Sequence, residues 1–140
     1  MSNTAPDIDL TDPDGFSYWV TENIRIADTD AGGHVNNTAY AAYAESGRVS
    51  VLRRLMSERG TADRWVIARL AIDFRAEAQP PGEVRIGTRL VRLGTKSVTF
   101  GHGMFTDGRC IATAQSTMVF MQAANSAAIP QSVRDLLTEI

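Results

Sequence analysis

The fold can be inferred from a change of pattern within residues 16–59, FSYWVTENIRIADTDAGGHVNNTAYAAYAESGRVSVLRRLMSER. Between Phe16 and Ile26, apolar side chains recur at alternate positions, which predicts a β-strand with one buried face. From Thr38 to Arg59 the chain has no proline, and its apolar residues recur at helical spacing instead. We therefore expect the strand, then a polar loop that contains glycine, then one long α-helix.

The expected helix has identifiable ends and a packed face that is rich in small residues. Asn36 or Asn37 can cap its start, because an Asn side chain accepts hydrogen bonds from first-turn amides, and Gly60 is expected to stop it. Small residues that would let the helix approach another backbone closely are Ala41, Ala44 and Gly47. Charged residues that we expect to face water are Arg48, Arg53, Arg54 and Glu58.

Four more alternating segments follow the helix. We expect strands at residues 65–76, 83–91, 97–105 and 110–121, separated by turn residues. Asp107-Gly108 is a strong hairpin signal, because type I′ turns need positive φ angles. Short connections predict that the four strands form an antiparallel meander. Residues 125–130 are then expected to form a loop, and residues 131–140 a short helix.

This order of elements predicts an α+β fold, with one long helix lying across an antiparallel sheet of about five strands. Residues 1–15 are expected to form a mobile arm and residues 16–140 a single domain. A sheet of this size has exposed edges, and pairing of edges between two copies would remove them. We therefore expect a homo-oligomer.

Composition excludes several classes of protein. The chain has 140 residues, 44% hydrophobic and 21% charged, which is typical of one soluble domain. A net charge of -2 without a basic tail argues against general nucleic-acid binding, which needs a concentrated Lys/Arg surface. No apolar run is long enough for a membrane-spanning helix, and the N-terminus does not resemble a secretory signal. With Cys110 as the single cysteine, we expect a cytoplasmic protein without disulfides.

Familiar metal, phosphate and nucleophile motifs are missing. His34 and His102 are far apart in sequence and have no metal-ligand spacing, so no metal site is expected. Residues 94–97 have a passing likeness to a phosphate-binding loop, but the residue order is broken and no helix follows. In a strand, Cys110 is most simply a small apolar residue.

The loop between the first strand and the helix has the composition of a catalytic site. Asp28 and Asp30 follow the strand, and the helix that begins shortly afterwards has first-turn amides without intrahelical partners. Such amides can stabilise an oxygen that becomes negative during acyl transfer. Gly32-Gly33 would let the chain fold Asp30 back over the same point. The alternative is that Asp28, Asp30 and Asn36 only cap turns and the helix.

Residues 28–40, DTDAGGHVNNTAY, followed by Glu45-Ser46-Gly47-Arg48, resemble the active-site segment of the 4-hydroxybenzoyl-CoA thioesterase branch of hotdog-fold proteins. The likeness extends over residues 16–122. It implies a hotdog fold, in which the antiparallel sheet wraps the long helix, and a homodimer or homotetramer with each pocket between two subunits. It also implies an acyl-CoA thioesterase that hydrolyses its substrate without a metal or an organic cofactor.

The resemblance assigns roles to three residues of the loop. Asp30 matches the catalytic carboxylate, acting as nucleophile or as general base on water. Asn37 matches the start of the helix, where the backbone amide polarises the thioester carbonyl. His34 could be a second base, could orient Asp30, or could merely satisfy backbone groups. The string His34-Val35-Asn36-Asn37 is closer to acyl-carrier-protein thioesterases of the same superfamily, so the sequence leaves coenzyme A and carrier protein open as the thiol.

Other residues are candidates for substrate contacts. Those expected to meet the coenzyme A phosphates lie at one turn: Arg92, Lys96 and Ser97. Solvated turn charges are the simpler interpretation of that turn. Tyr40 and Tyr43 are candidates for the wall of an acyl channel. Glu45 is either a second catalytic acid or the partner of Arg48, three residues later.

Two other functions remain open at this stage. A non-catalytic protein that binds acyl groups or other ligands could use the same scaffold, because a fold does not determine function. A hotdog dehydratase would need an acid and a base around the acyl chain, and the loop does not resemble the hydratase motif. Release of free thiol distinguishes the thioesterase from both.

Overall fold

A computed structural model describes residues 7–56 and 63–140. The helices are α1 (Asn37–Met56) and α2 (Gln131–Leu137). The strands are β1 (Tyr18–Asn23), β2 (Asp63–Phe74), β3 (Glu83–Leu93), β4 (Ser97–Thr106), β5 (Arg109–Gln122) and β6 (Asn125–Ser126). One long helix lies against one antiparallel sheet, which confirms the predicted α+β architecture and its five main strands.

The order of the strands differs from the expected meander. The sheet runs β1-β3-β4-β5-β2, with the short β6 beside β5, and every pairing is antiparallel. The meander is limited to β3, β4 and β5. The connection at residues 75–82 crosses the end of the sheet, since the amides of Arg75 and Ala76 both donate to the Ile111 carbonyl. β2 and β3 are therefore not neighbours, and β1 and β2 form the two edges.

The hairpin between β4 and β5 has the predicted turn. Asp107 and Gly108 have φ angles of 52° and 75°, as a type I′ turn requires.

The first strand is shorter than predicted, because a 3-10 turn at Ile26–Asp28 replaces the extended chain. Ile26 is consequently 82% exposed rather than buried.

The helix α1 packs lengthwise on one face of the sheet. Its first half joins a cluster that includes Tyr43, Ala44 and Ile86, and its second half joins a cluster that includes Val51 and Phe120. Between the clusters the helix meets β3 at Gly47, where an added Cβ would lie 2.5 Å from Thr88 Oγ1. The small residues predicted for this face therefore do permit a close approach.

Arg53 and Arg54 are exposed, as predicted, whereas Arg48 is only 6% exposed. The expectation that Arg48 faces water is wrong because residues four apart share a helix face, and both Ala44 and Leu52 are buried. The predicted positions of Glu58 and Gly60 lie outside the described residues.

The segment before β1 contacts the sheet from residue 8 onward, although an arm was expected through residue 15. Leu10 is 7% exposed and clusters with Phe16 and Phe105. Within residues 7–56 and 63–140, no helix is both long and apolar enough to cross a membrane.

Candidate active site

The loop after β1 folds back on itself at Asp30. The Asp30 amide donates to the His34 carbonyl over 2.8 Å, and the Gly33 amide donates to the Asp30 carbonyl over 3.1 Å. Gly33 has a φ of 81°, a conformation that glycine adopts without strain. This tight turn places Asp30 directly beside the chain that leads into α1.

The Asp30 carboxylate is oriented through one of its two oxygens. Oδ1 accepts hydrogen bonds from the amides of Gly32 (2.9 Å) and His34 (3.3 Å). No hydrogen-bond donor to Oδ2 is found among the described residues, and the side chain is exposed. Asp30 therefore has a defined direction and an oxygen available for chemistry.

The start of α1 supplies amide donors next to this carboxylate. Asn36 Oδ1 accepts hydrogen bonds from the amide and the hydroxyl of Thr38, both over 3.0 Å, so Asn36 is the N-cap. The helix begins at Asn37, whose amide has no acceptor in the part of the chain that the structure describes. A first-turn amide at a helix N-terminus attracts negative charge.

These groups line one open groove of about 550 Å³ at the end of the sheet. Its lining residues are Asp30, His34, Val35, Asn36, Asn37, Tyr40, Phe74, Arg75, Ala76 and Glu77. Tyr40 is buried, and its ring packs edge-on against Phe74, with centroids 5.2 Å apart. The groove thus combines an aromatic wall with a carboxylate and a helix N-terminal amide, two groups that can serve acyl transfer.

The His34 ring contacts Glu77, and among the described residues no hydrogen bond joins the ring to the Asp30 carboxylate. Its Nε2 lies 3.2 Å from Glu77 Oε2, and the contact of His34 with Asp30 is made by its amide. His34 therefore orients Asp30 through its backbone amide and not through its ring. Glu77 and Phe74 also line the groove, but the sequence does not single them out, because residues 65–76 and 83–91 are expected to be neighbouring strands joined by a short turn.

Asp28 has a different environment from Asp30. It is buried, forms an ion pair with Arg25 (2.8 Å) and accepts a hydrogen bond from the Tyr43 hydroxyl (3.2 Å). The Arg25 side chain, through its hydrogen bonds, lowers the pKa of Asp28, whereas burial raises the pKa of Tyr43. Asp28 and Tyr43 thus hold the loop on α1, and Tyr43 lies behind the groove rather than in its wall.

Glu45 and the β3–β4 turn lie apart from this groove within one chain. Glu45 is exposed, accepts a hydrogen bond from Arg48 Nη2 over 3.4 Å, and lines a separate groove beside β1. Arg92, Lys96 and Ser97 lie around the β3–β4 turn, whereas the Asp30 loop contacts the opposite end of β3, where the Ile24 amide donates to the Gly82 carbonyl. An 11-residue strand separates the two sites by roughly 30 Å.

A buried polar network under α1 is not evident from the sequence. His102 is fully buried in β4, with Nδ1 3.0 Å from Thr88 Oγ1 and Nε2 2.8 Å from Ser116 Oγ. Burial lowers the pKa of His102 to about 3, and the nearby charge of Arg48 adds to this effect. Across residues 7–56 and 63–140, no three His, Cys, Asp or Glu side chains are placed to hold a metal ion.

Comparison with known proteins places this geometry in context. A family model described as the thioesterase-like superfamily matches residues 24–137. The uncharacterized protein YsmA of Bacillus subtilis (strain 168) is 27% identical over 116 residues, which are 81% of this chain and 79% of YsmA. A thioesterase from Thermus thermophilus, complexed with coenzyme A and Zn, has a TM-score of 0.79 and 27% identity, covering 89% of this chain and 94% of that one. The gentisyl-coenzyme A thioesterase BH1999 has a TM-score of 0.77 and 26% identity, covering 86% of this chain and 99% of that one.

Proposed function

Because the chain belongs to the thioesterase-like superfamily and has the hotdog fold, we propose that it hydrolyses acyl-coenzyme A thioesters, with Asp30 as the reacting carboxylate. The choice of coenzyme A as the thiol is supported by two structural relatives, one solved with coenzyme A and one described as a coenzyme A thioesterase. An acyl-carrier-protein thioester is the alternative substrate that the assay below includes.

One observation carries the assignment of Asp30. Its Oδ2 has no hydrogen-bond donor among the described residues, and it shares a groove with the N-terminal amide of α1 at Asn37. Asp28, two residues earlier, has both oxygens engaged by Arg25 and Tyr43. Of the two aspartates, Asp30 is therefore the one with an oxygen available to a substrate.

The chemistry follows from these positions. The thioester carbonyl oxygen accepts a hydrogen bond from the Asn37 amide, which stabilises the negative charge that develops there. Asp30 either attacks the carbonyl carbon, expelling the thiolate and leaving an anhydride that water hydrolyses, or takes a proton from the water that attacks. In both routes one water and one thioester give one acid and one thiol. Tyr40 and Phe74 contact the acyl group.

The proposed site is completed by a second copy of the chain. The edge strand β2 carries two exposed apolar residues, Ile67 (44% exposed) and Phe74 (55% exposed). Pairing with another copy at this edge would cover them and would bring a second set of side chains to the groove. We accordingly propose a homodimer, or a tetramer built from dimers, as the active form.

The decisive experiment measures thiol release by wild-type and Asp30→Asn protein from short, long and aromatic acyl-coenzyme A and from an acyl-carrier-protein thioester. We expect Asp30→Asn to lower kcat/KM by at least about 100-fold, because a reacting carboxylate contributes this much or more. Asp135→Asn is the matched control, since Asp135 is an exposed carboxylate on α2, outside both the groove and β2, and we expect it to keep full activity.

Two outcomes would contradict the proposal. Unchanged thiol release by a folded Asp30→Asn variant would remove Asp30 from the chemistry. Thermal stabilisation of the wild type by acyl-coenzyme A, with no thiol released from any substrate, would favour the non-catalytic binding protein instead.

A further inference from the structure

Two buried tyrosines of α1 differ in the hydrogen bonding of their hydroxyl groups. Tyr40 and Tyr43 are three positions apart, each is 4% exposed, and their rings pack edge-on with centroids 6.0 Å apart. The Tyr43 hydroxyl donates to Asp28 Oδ2 over 3.2 Å. Among the described residues, no hydrogen bond joins the Tyr40 hydroxyl to another group. Equal burial is therefore accompanied by a paired hydroxyl in one tyrosine and an unpaired one in the other.

The unpaired hydroxyl belongs to a residue that lines the Asp30 groove. Tyr40 borders this groove together with Phe74, against which its ring packs edge-on. A buried hydroxyl without a hydrogen bond costs free energy, and most buried polar groups in proteins have a partner. Since Tyr40 faces a groove of about 550 Å³, a bound molecule can supply the missing partner.

The charged groups close to the Tyr40 hydroxyl are engaged with other partners. Glu77 Oε2 lies 3.2 Å from His34 Nε2, and Arg109 Nη2 donates to the Glu77 carbonyl over 2.9 Å. Burial raises the pKa of Tyr40, and the charge of Glu77 adds to this effect while that of Arg109 opposes it. The hydroxyl is consequently protonated at neutral pH, so it can donate a hydrogen bond.

We propose that Tyr40 determines specificity for the acyl group, because its hydroxyl donates a hydrogen bond to an oxygen that the acyl group carries. The site then prefers acyl thioesters with an oxo or hydroxyl substituent to unsubstituted ones. This specificity rests on the proposed function, in which the thioester carbonyl meets the Asn37 amide and the acyl group contacts Tyr40. Residues three apart share a helix face, so Tyr40 borders the groove about 4.5 Å further along α1 than Asn37. A substrate without the oxygen leaves the hydroxyl unpaired, and the site discriminates against it.

The test compares substrates that differ by one oxygen. Hexanoyl-coenzyme A is compared with its 3-oxo and 3-hydroxy derivatives, and benzoyl-coenzyme A with 4-hydroxybenzoyl-coenzyme A. For the wild type, we expect kcat/KM to be at least about tenfold higher for an oxygen-bearing substrate than for its unsubstituted counterpart. The Tyr40→Phe variant should bring this ratio close to one, since it removes only the hydroxyl.

Tyr43→Phe is the matched control. Its hydroxyl is bonded to Asp28, so the variant should keep the wild-type ratio between substrates. Thermal unfolding distinguishes specificity from a structural role. Tyr40→Phe should be as stable as the wild type because it breaks no hydrogen bond within the chain, whereas Tyr43→Phe should be less stable.

Binding provides a measurement that is independent of catalysis. Thioether analogues of the same compounds cannot be hydrolysed, and their Kd values should show the same preference in the wild type and lose it in Tyr40→Phe. Equal kcat/KM values within every set of substrates would overturn the proposal, as would a preference that persists in folded Tyr40→Phe protein. If no substrate releases thiol, the proposed thioesterase function fails, and the ratio of Kd values decides the role of Tyr40.

Discussion

At the scale of single residues, environment separates side chains of the same type. Asp28 and Asp30 are two positions apart, yet Asp28 is buried against Arg25 and Tyr43 while Asp30 is exposed at the groove. The two histidines also have different environments. His34 lies at the groove beside Glu77, and His102 is fully buried between hydroxyl groups.

The burial of His102 predicts a pH dependence of stability. The pKa of His102 is about 3 in the folded protein and near its ordinary value of 6.5 when unfolded. Below pH 6.5 the unfolded chain binds a proton that the folded protein does not, so stability is lost as the pH falls towards 3. We expect the free energy of unfolding to decrease by about 1.4 kcal/mol per pH unit in this window.

Urea unfolding between pH 7 and pH 5 measures this decrease. The His102→Gln variant should show a weaker dependence on pH than the wild type, because it lacks the titrating ring. Equal slopes for the wild type and His102→Gln would show that His102 is not the group responsible.

At the scale of elements, the position of α1 depends on its closest contact with β3. Gly47 stands over Thr88, which is fully buried and hydrogen-bonded to His102. Thr88 is branched at Cβ, so it cannot move aside easily. The contact fixes the distance between α1 and the sheet, and α1 in turn presents Asn37 and Tyr40 to the groove.

We expect Gly47→Ala to destabilise the protein by about 1–2 kcal/mol. Alanine favours helix by about 1 kcal/mol over glycine, but the close contact that the new methyl group would make places its overpacking cost in the upper part of the usual range, about 2–3 kcal/mol. The added Cβ would lie 2.5 Å from Thr88 Oγ1 and 3.1 Å from His102 Nδ1. Urea unfolding checks this expectation, with Ser46→Ala on the same helix as the neutral control. A Gly47→Ala variant as stable as the wild type would mean that α1 can shift freely.

At the scale of the whole molecule, our proposal builds each site from two copies of the chain. The Asp30 groove and the β3–β4 turn with Arg92 and Lys96 lie at opposite ends of β3. If the turn binds the phosphates of coenzyme A, it does so for the groove of a second copy. Asp30 and the two cations that serve one substrate would then belong to different subunits.

This arrangement predicts complementation between variants. Arg92→Ala with Lys96→Ala should raise KM for acyl-coenzyme A by about tenfold without changing kcat, because lost uniform binding changes KM alone. An acyl-pantetheine substrate, which lacks the nucleotide, should not distinguish this variant from the wild type. Arg53→Ala, at an exposed cation of α1, is the control.

Mixing this double variant with Asp30→Asn should form heterodimers with one intact site, and the wild-type KM should return with part of the activity. If the mixture is no more active than the two variants measured separately, Asp30 and the two cations that serve one substrate belong to the same chain.

Local structure could be predicted from the amino-acid sequence. The long helix, the strand periods, the Asn36 cap and the Asp107-Gly108 turn all depend on residues a few positions apart, whose contacts are set by backbone geometry. The motif around Asp30 can likewise be recognised from the sequence alone. Other features emerged from the three-dimensional fold: the pairing of β2 with β5, the close contact of Leu10 with Gly101 and Gly103, and the hydrogen bond from Tyr43 to Asp28. Each of these depends on contacts between distant segments, and no local pattern encodes which distant segment a side chain will meet.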